Sequence, residues 1–309
     1  MLISMIVSLG FFGRFTMNCL RHPLFSGNST ARHSASAAMI ISAVAGLLVT
    51  GARAGATVTD VSYYDFGKIA MYVQTGNLTP AISTSNPYTF TSDIGYGSMG
   101  SVLASSTLAL PAGATGTVTY AANSGNAHLK YSQFYATAAD LNAAFPDGNY
   151  TFTINTSTPN TYTSTLALSG VTYPTDIGTL SNTNWSGGAL VIDPTQNYTF
   201  TWNASADLHL DFGVNNTAIN ESVFNSGSGL PSSYTMAANT LAPGQSYVGN
   251  LDFANAVTDT SQISGVLGAA YYQNSTQFTI ITTPEPAAGI LLLAGVAVIG
   301  LLARRKTAV

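Results

Sequence analysis

The run Asp207-Leu208-His209-Leu210-Asp211-Phe212 holds the residues best suited to chemistry. On a strand, Asp207, His209 and Asp211 share one face while Leu208, Leu210 and Phe212 share the other. Such a row would let a divalent ion sit between neighbouring polar side chains. Residues i and i+4 on one face are about 14 Å apart, however, so the three together hold one ion only if the strand bends. The plainer expectation is the wet face of a half-buried strand, with no metal and no cofactor.

The remaining acids, among them Asp65, Asp93, Asp140, Asp176, Asp193, Asp252 and Asp259, mostly adjoin turn residues. Turn-stabilising aspartates account for them. Glu221 is the one glutamate between residues 57 and 283, so a glycosidase pair would need aspartates, and their spacing pairs none. The sequence contains no Asp-x-Asp-x-Asp-Gly calcium loop, no Gly-x-Ser-x-Gly elbow, no His-Glu-x-x-His helix and no phosphate-cradling glycine loop. A hydrolase assembled from distant residues is the weakest alternative, and no catalytic residue is assigned. Trp185, in Asn184-Trp185-Ser186-Gly187-Gly188, sits in a loop-like setting. It is the candidate for stacking on a sugar ring, against the plain reading of a tryptophan plugging a sandwich end. Tyr63, Tyr64, Tyr72, Tyr96, Tyr131, Tyr135, Tyr271 and Tyr272 could add an aromatic platform.

The elements that would carry these residues are strands. Tyr150-Thr151-Phe152-Thr153-Ile154, Tyr198-Thr199-Phe200-Thr201-Trp202 and Tyr88-Thr89-Phe90-Thr91 alternate large apolar residues with threonine, the period of half-buried antiparallel strands. The string recurs at unequal intervals and so is not a solenoid repeat. Thr137–Phe145 is the one helical stretch outside the ends. A boundary is expected near Ser169–Thr175, giving residues 57–170 and 171–282, each the size of one sandwich. Leu241-Ala242-Pro243-Gly244-Gln245-Ser246-Tyr247 resembles the Leu-x-Pro-Gly-x-x-Tyr turn of fibronectin type III domains, in which the tyrosine hydroxyl caps backbone across a corner. Trp202 would then be the core tryptophan, and Pro146–Tyr150 is a related turn. The fold class is all-β, with two immunoglobulin-like or fibronectin type III-like sandwiches; one longer barrel-like domain is the alternative.

Charge limits the partners. Seven of nine basic residues lie near the ends, at Arg14, Arg21, Arg32, Arg53, Arg304, Arg305 and Lys306. Between residues 57 and 283, Lys68 and Lys130 face twelve acids, a formal charge of −10, which excludes phosphate backbones and hence nucleic acid. The only cysteine, Cys19, falls in the N-terminal region, so the middle has no thiol chemistry.

Both ends read as export signals. Arg32 and His33 precede an apolar run, Ala38 to Val49, and then Ala52-Arg53-Ala54-Gly55-Ala56. This is the order of a secretory signal, cleaved by signal peptidase after Ala54 or Ala56, with residues 1–56 forming an extension plus signal peptide. Residues 1–31 fit that order poorly, and translation from Met17 or a long signal would each explain them. An uncleaved anchor is the rival, although twelve apolar residues are short for a bilayer. At the other end, Ala287 to Ala303 is seventeen residues without a charge, about 25 Å of helix. Arg304-Arg305-Lys306 follow, and a positive flank stays in the cytoplasm.

Thr283-Pro284-Glu285-Pro286-Ala287, the apolar stretch with Gly289, Gly295 and Gly300, and the basic end resemble the PEP-CTERM sorting signal. That resemblance covers residues 283–309. It implies export in a Gram-negative bacterium that makes extracellular polysaccharide, recognition by an exosortase, and processing near Pro284-Glu285-Pro286. The two prolines keep the segment extended at the membrane edge. The expected product is a non-enzymatic envelope or matrix protein, associated with biofilm or exopolysaccharide. A carbohydrate-binding surface module is the alternative.

Overall fold

A computed structural model of the chain describes residues 60–284, apart from 98–101, 103–104, 121–127, 159, 208 and 225–229. The described residues lie in one compact unit. Ala54 and Ala56, and the tail from Glu285 and Pro286 through the apolar run to Arg304, Arg305 and Lys306, fall outside them. Among the described residues no helix is long and apolar enough to cross a membrane.

The first half forms β1 (Val61–Gln74), β2 (Ala81–Ile82), β3 (Tyr88–Tyr96), β4 (Thr107–Ala109), β5 (Thr117–Thr119), β6 (His128–Tyr135), helix α1 (Ala138–Ala144), β7 (Gly148–Asn155) and β8 (Thr161–Leu168). The second forms β9 (Trp185–Ser186), β10 (Ala189–Ile192), β11 (Tyr198–Thr201), β12 (His209–Val214), β13 (Asn220–Phe224), β14 (Ser233–Met236), β15 (Ser246–Asp259) and β16 (Leu267–Thr282). The three Tyr-Thr-Phe-Thr strings open β3, β11 and the body of β7, as their alternation predicts. Helix α1 sits where the sequence places it. Thr137 caps it by accepting from Asp140 N (3.1 Å), which satisfies a first-turn N–H that has no partner within the helix.

The described strands build a long sheet in the order β13-β12-β15-β16-β1-β3-β6. β16 is its axis. It pairs antiparallel with β15 on one edge, from Ser246↔Ile281 to Asp259↔Gly268. On the other edge it pairs in parallel with β1, from Tyr63↔Leu267 to Gln74↔Phe278, and then with β10, from Ala189↔Thr279 to Ile192↔Thr282. Partners on both edges and cover on both faces leave Leu267 through Thr276 buried without alternation, the pattern of a central strand.

Even-numbered residues of β16 share one face, and two cores lie on it side by side. Ala270 and Tyr272 join Tyr64 and Phe66 of β1 and Phe90 and Ile94 of β3, covered by the sheet β5-β4-β7-β8. The ring centroids of Tyr64 and Phe152 are 5.0 Å apart, edge to face, and those of Phe66 and Tyr150 are 4.3 Å apart. Further along, Phe278 and Ile280 join Leu251, Phe253, Leu210 and Phe212, covered by the pair β11-β14. Here Phe200 and Trp202 lie 4.8 and 5.1 Å from Phe212.

The first core draws on both sides of residue 170, taking in Ile263, Val266, Ala270 and Tyr272, and the long sheet runs through both halves by way of β1 and β16. Alternation reveals which face of a strand is buried; it does not reveal which strand lies alongside.

Candidate functional site

His209 and Asp211 open β12, with Asp207 just ahead of it. The structure corrects the expectation of a wet face, because Asp207, His209 and Asp211 are only 6%, 4% and 5% exposed. His209 Nε2 and Asp211 Oδ2 are hydrogen-bonded at 2.9 Å, and Asp211 stands directly across from Asp252 of β15. On the same sheet a second cross-strand acid pair joins Asp65 of β1 to Asp93 of β3. Tyr271 lies among these acids, its ring packed over Gly67 so closely that a Cβ there would come within 2.3 Å of it. Its buried hydroxyl has no hydrogen-bond partner among the described residues. Burial, and then the charges of Asp65, Asp93, Asp211 and Asp252, push the Tyr271 hydroxyl well above the ordinary phenol range.

Asp65, Asp93 and Asp252 are thus mid-strand residues and not the turn aspartates that their sequence neighbours suggest. Burial, then the facing Asp93, pushes the Asp65 carboxyl far up. Among the described residues neither oxygen has a hydrogen-bond partner, and only the charge of Lys130 and the Asp93 backbone work against the rise. Burial foremost also pushes Asp252 far up, with the charge of Asp211 adding to it. Asp93 is raised by burial too, partly offset by Lys130 and His128, each 3.4 Å from its Oδ2. Among the described residues no three His, Cys, Asp or Glu side chains form a group that could hold a metal ion. The turn role does hold for Asp193, which accepts from Thr195 N at 2.9 Å, and for Asp259, which accepts from Ser261 N at 2.5 Å.

Two ionic clusters escape sequence reasoning. Asp60, 3% exposed, accepts from Thr158 Oγ1 (2.6 Å), Tyr162 OH (2.8 Å), Thr156 Oγ1 (2.9 Å) and Asn160 Nδ2 (3.1 Å). Burial alone would raise its carboxyl, but these four donors, Thr158 foremost, hold it well below the usual range. The signal that could have found the cluster is Thr156-x-Thr158-x-Asn160-x-Tyr162, donors at period two. In the other cluster the fully buried Lys68 donates to Asp147 Oδ1 (2.7 Å) and Asn142 Oδ1 (2.8 Å). Tyr272 OH also donates to Asp147 Oδ1. Burial lowers the Lys68 ammonium, and Asp147 works against that.

The expected aromatic platform mostly dissolves into the interior. Tyr64, Tyr271 and Tyr272 are core residues, and Trp185 in β9 is half-buried against the second core. Tyr131 and Tyr135 instead line a cleft of about 240 Å³ with Gln133, Phe145, Thr115 and Thr117. Tyr131, Gln133 and Tyr135 project from one face of β6, and Tyr131 OH donates to Gln133 Oε1 at 2.5 Å. Among the described residues no charged side chain lines the cleft. Such a surface offers ring faces, hydroxyls and an amide to a neutral polar ligand.

The tail leaves the fold at the end of β16. The Leu241–Tyr247 turn lies beside that exit, and Tyr247 OH accepts from Ala242 N at 2.9 Å. Trp202, 4% exposed, donates from Nε1 to Pro231 O at 2.8 Å. Thr282 is buried, Thr283 half-buried and Pro284 exposed.

The fold is that of an all-β protein with one short helix among its described residues. Residues 282–306 match the family model of the PEP-CTERM protein-sorting motif. The motif marks an exported, membrane-transiting protein of Gram-negative bacteria that an exosortase processes. A comparison with curated proteins finds no match. Similar solved structures include a chimeric titin Z1Z2 functionalised with a KLER exogenous peptide from decorin, 9% identical over 74% of this chain and 100% of that one, with a TM-score of 0.19. Another is the titin domains Z1Z2 in complex with telethonin, also 9% identical over 74% and 100%, with a TM-score of 0.18. Likenesses at this level carry no argument about the fold, which rests on the strand pairing described above.

Proposed function

We propose that the protein is a non-enzymatic component of the cell envelope or extracellular matrix, delivered with its β-rich body outside the cell and released from the membrane by processing at Pro284-Glu285-Pro286. The observation that carries this reading is the sorting motif directly continuing the central strand of the body. In this reading residues 287–303 span the membrane until processing, with Arg304, Arg305 and Lys306 on the cytoplasmic side. In this reading signal peptidase cleaves after Ala54 or Ala56. The Tyr247 hydroxyl contact and the buried Trp202 support a fibronectin type III-like reading of the second half.

Cell fractionation with mass spectrometry of the mature termini tests the proposal. The expected result is an exported chain that begins after Ala54 or Ala56 and ends near Pro284–Pro286. A full-length chain retained in the cytoplasm would overturn it.

The cleft beside Tyr131 and Tyr135 favours a second reading, a module that binds neutral polysaccharide. A glycan array without a hit removes that reading. Binding lost in Tyr131→Ala assigns it to the cleft, and binding lost in Trp185→Ala assigns it to β9.

A further inference from the structure

β16 ends on Thr282, the first residue of the matched sorting motif. The Thr282 hydroxyl donates to Ala242 O (2.7 Å), with Gln245 O at 3.1 Å, and accepts from Gln245 N (2.8 Å). The Thr282 N–H donates to Gln245 O (2.9 Å), and the Thr283 N–H donates to Ile192 O (2.9 Å). Gly244 N donates to Thr283 O (3.3 Å). The chain is clasped from both sides, by the Ala242–Gln245 turn and by the end of β10. Thr282 itself is 1% exposed.

The sequence allows little slack beyond this clasp. Residues 283–286 alone separate Thr282 from Ala287, where the uncharged run begins. Even fully extended, the path from Thr282 to Ala287 reaches no more than about 18 Å. An enzyme that binds the motif as an extended peptide reads backbone N–H and C=O groups on both sides of the bond it cuts. On the N-terminal side, the Thr282 N–H and both the N–H and C=O of Thr283 are already taken. The first exposed residue is Pro284.

We propose that the Ala242–Gln245 turn and Ile192 form a latch on the sorting motif, so that the membrane protease cuts beyond Thr283 and must wait for the last two residues of this segment to come free. This rests on the reading of the tail as processed. The ends of strands open locally at far lower cost than the whole fold, so latch strength sets how often the motif is presented. It also couples release to folding, because the latch forms only when β16 is seated between β15 and β10.

The test is pulse-chase of the full-length chain in cells that carry the exosortase, with tail removal followed by mass. Thr282→Val keeps the buried volume and removes the hydroxyl contacts, and is expected to speed processing by about five- to tenfold, the effect of roughly one hydrogen bond. A six-residue Gly-Ser insertion between Thr283 and Pro284 leaves the latch intact but lengthens the free segment, and is expected to speed processing similarly. The two changes combined should give no more than the insertion alone. Wild type processed at the same rate as both variants overturns the latch and leaves the sorting reading standing. An exported wild type whose tail is never removed overturns both.

Discussion

Asp60, just ahead of β1, and Asp65, inside it, lie five residues apart and show almost equally little surface, at 3% and 1% exposure. Their carboxyls are shifted in opposite directions. Four donors outweigh burial and hold Asp60 well below the usual range, whereas deep burial and then the facing Asp93 push Asp65 far up. Small surface exposure alone therefore does not set the shift of a carboxyl here; how deep it lies and the supply of N–H and O–H groups do. Lys68 falls between the two, a fully buried amine whose partner Asp147 is half exposed.

The largest effect should come from Asp60→Ala, which leaves four donors around an empty site. A loss of about 3 kcal/mol at neutral pH is expected in chemical denaturation. The sign with pH follows from the lowered pKa. The stabilisation is complete above the ordinary aspartate value of about 4 and fades as pH falls through the folded value. Asp60→Asn should lose that acid limb, and an unchanged limb would break the contrast at its stronger side.

Asp252→Asn should act the other way. Above pH of about 4 the unfolded chain ionises this residue while the folded chain keeps it protonated, so stability declines as pH rises toward the raised folded value. An amide does not titrate, and a gain of about 1–2 kcal/mol at pH 8 is expected, with a flatter alkaline limb in thermal melts. A loss at pH 8 would mean that Asp252 is ionised and well served by donors, like Asp60.

The smallest effect is expected for Lys68→Met, within about 1 kcal/mol of wild type, because an apolar isostere removes both the charge and its desolvation cost. Asp147→Ala should cost more, since it leaves the buried ammonium with fewer acceptors. The reverse order in denaturant melts would place Lys68 with the fully served groups.

Much of the local structure was legible beforehand. Tyr-Thr-Phe-Thr alternation located β3, β7 and β11, and the stretch Thr137–Phe145 located α1, because such patterns are properties of neighbouring residues. The corner tyrosine was legible for the same reason, as Tyr247 reaches only five residues back to Ala242 N. Asp65 and Asp252 misled because Gly67 and Asn250 nearby mimic turn composition inside long strands. Asp60 was invisible because its donors lie about a hundred residues away, on the β7–β8 connection and the start of β8.

The sequence by itself determined the sorting address: a Pro-Glu-Pro motif, an apolar run and a basic end are all local patterns. It also determined the all-β class and the absence of thiol chemistry between the ends. Only the tertiary structure decided that the two halves share one sheet, that the polar row of β12 is buried, and that the motif is clasped where it leaves β16. Each of these depends on which strands become neighbours, and strand pairing is a long-range choice that side-chain alternation leaves open.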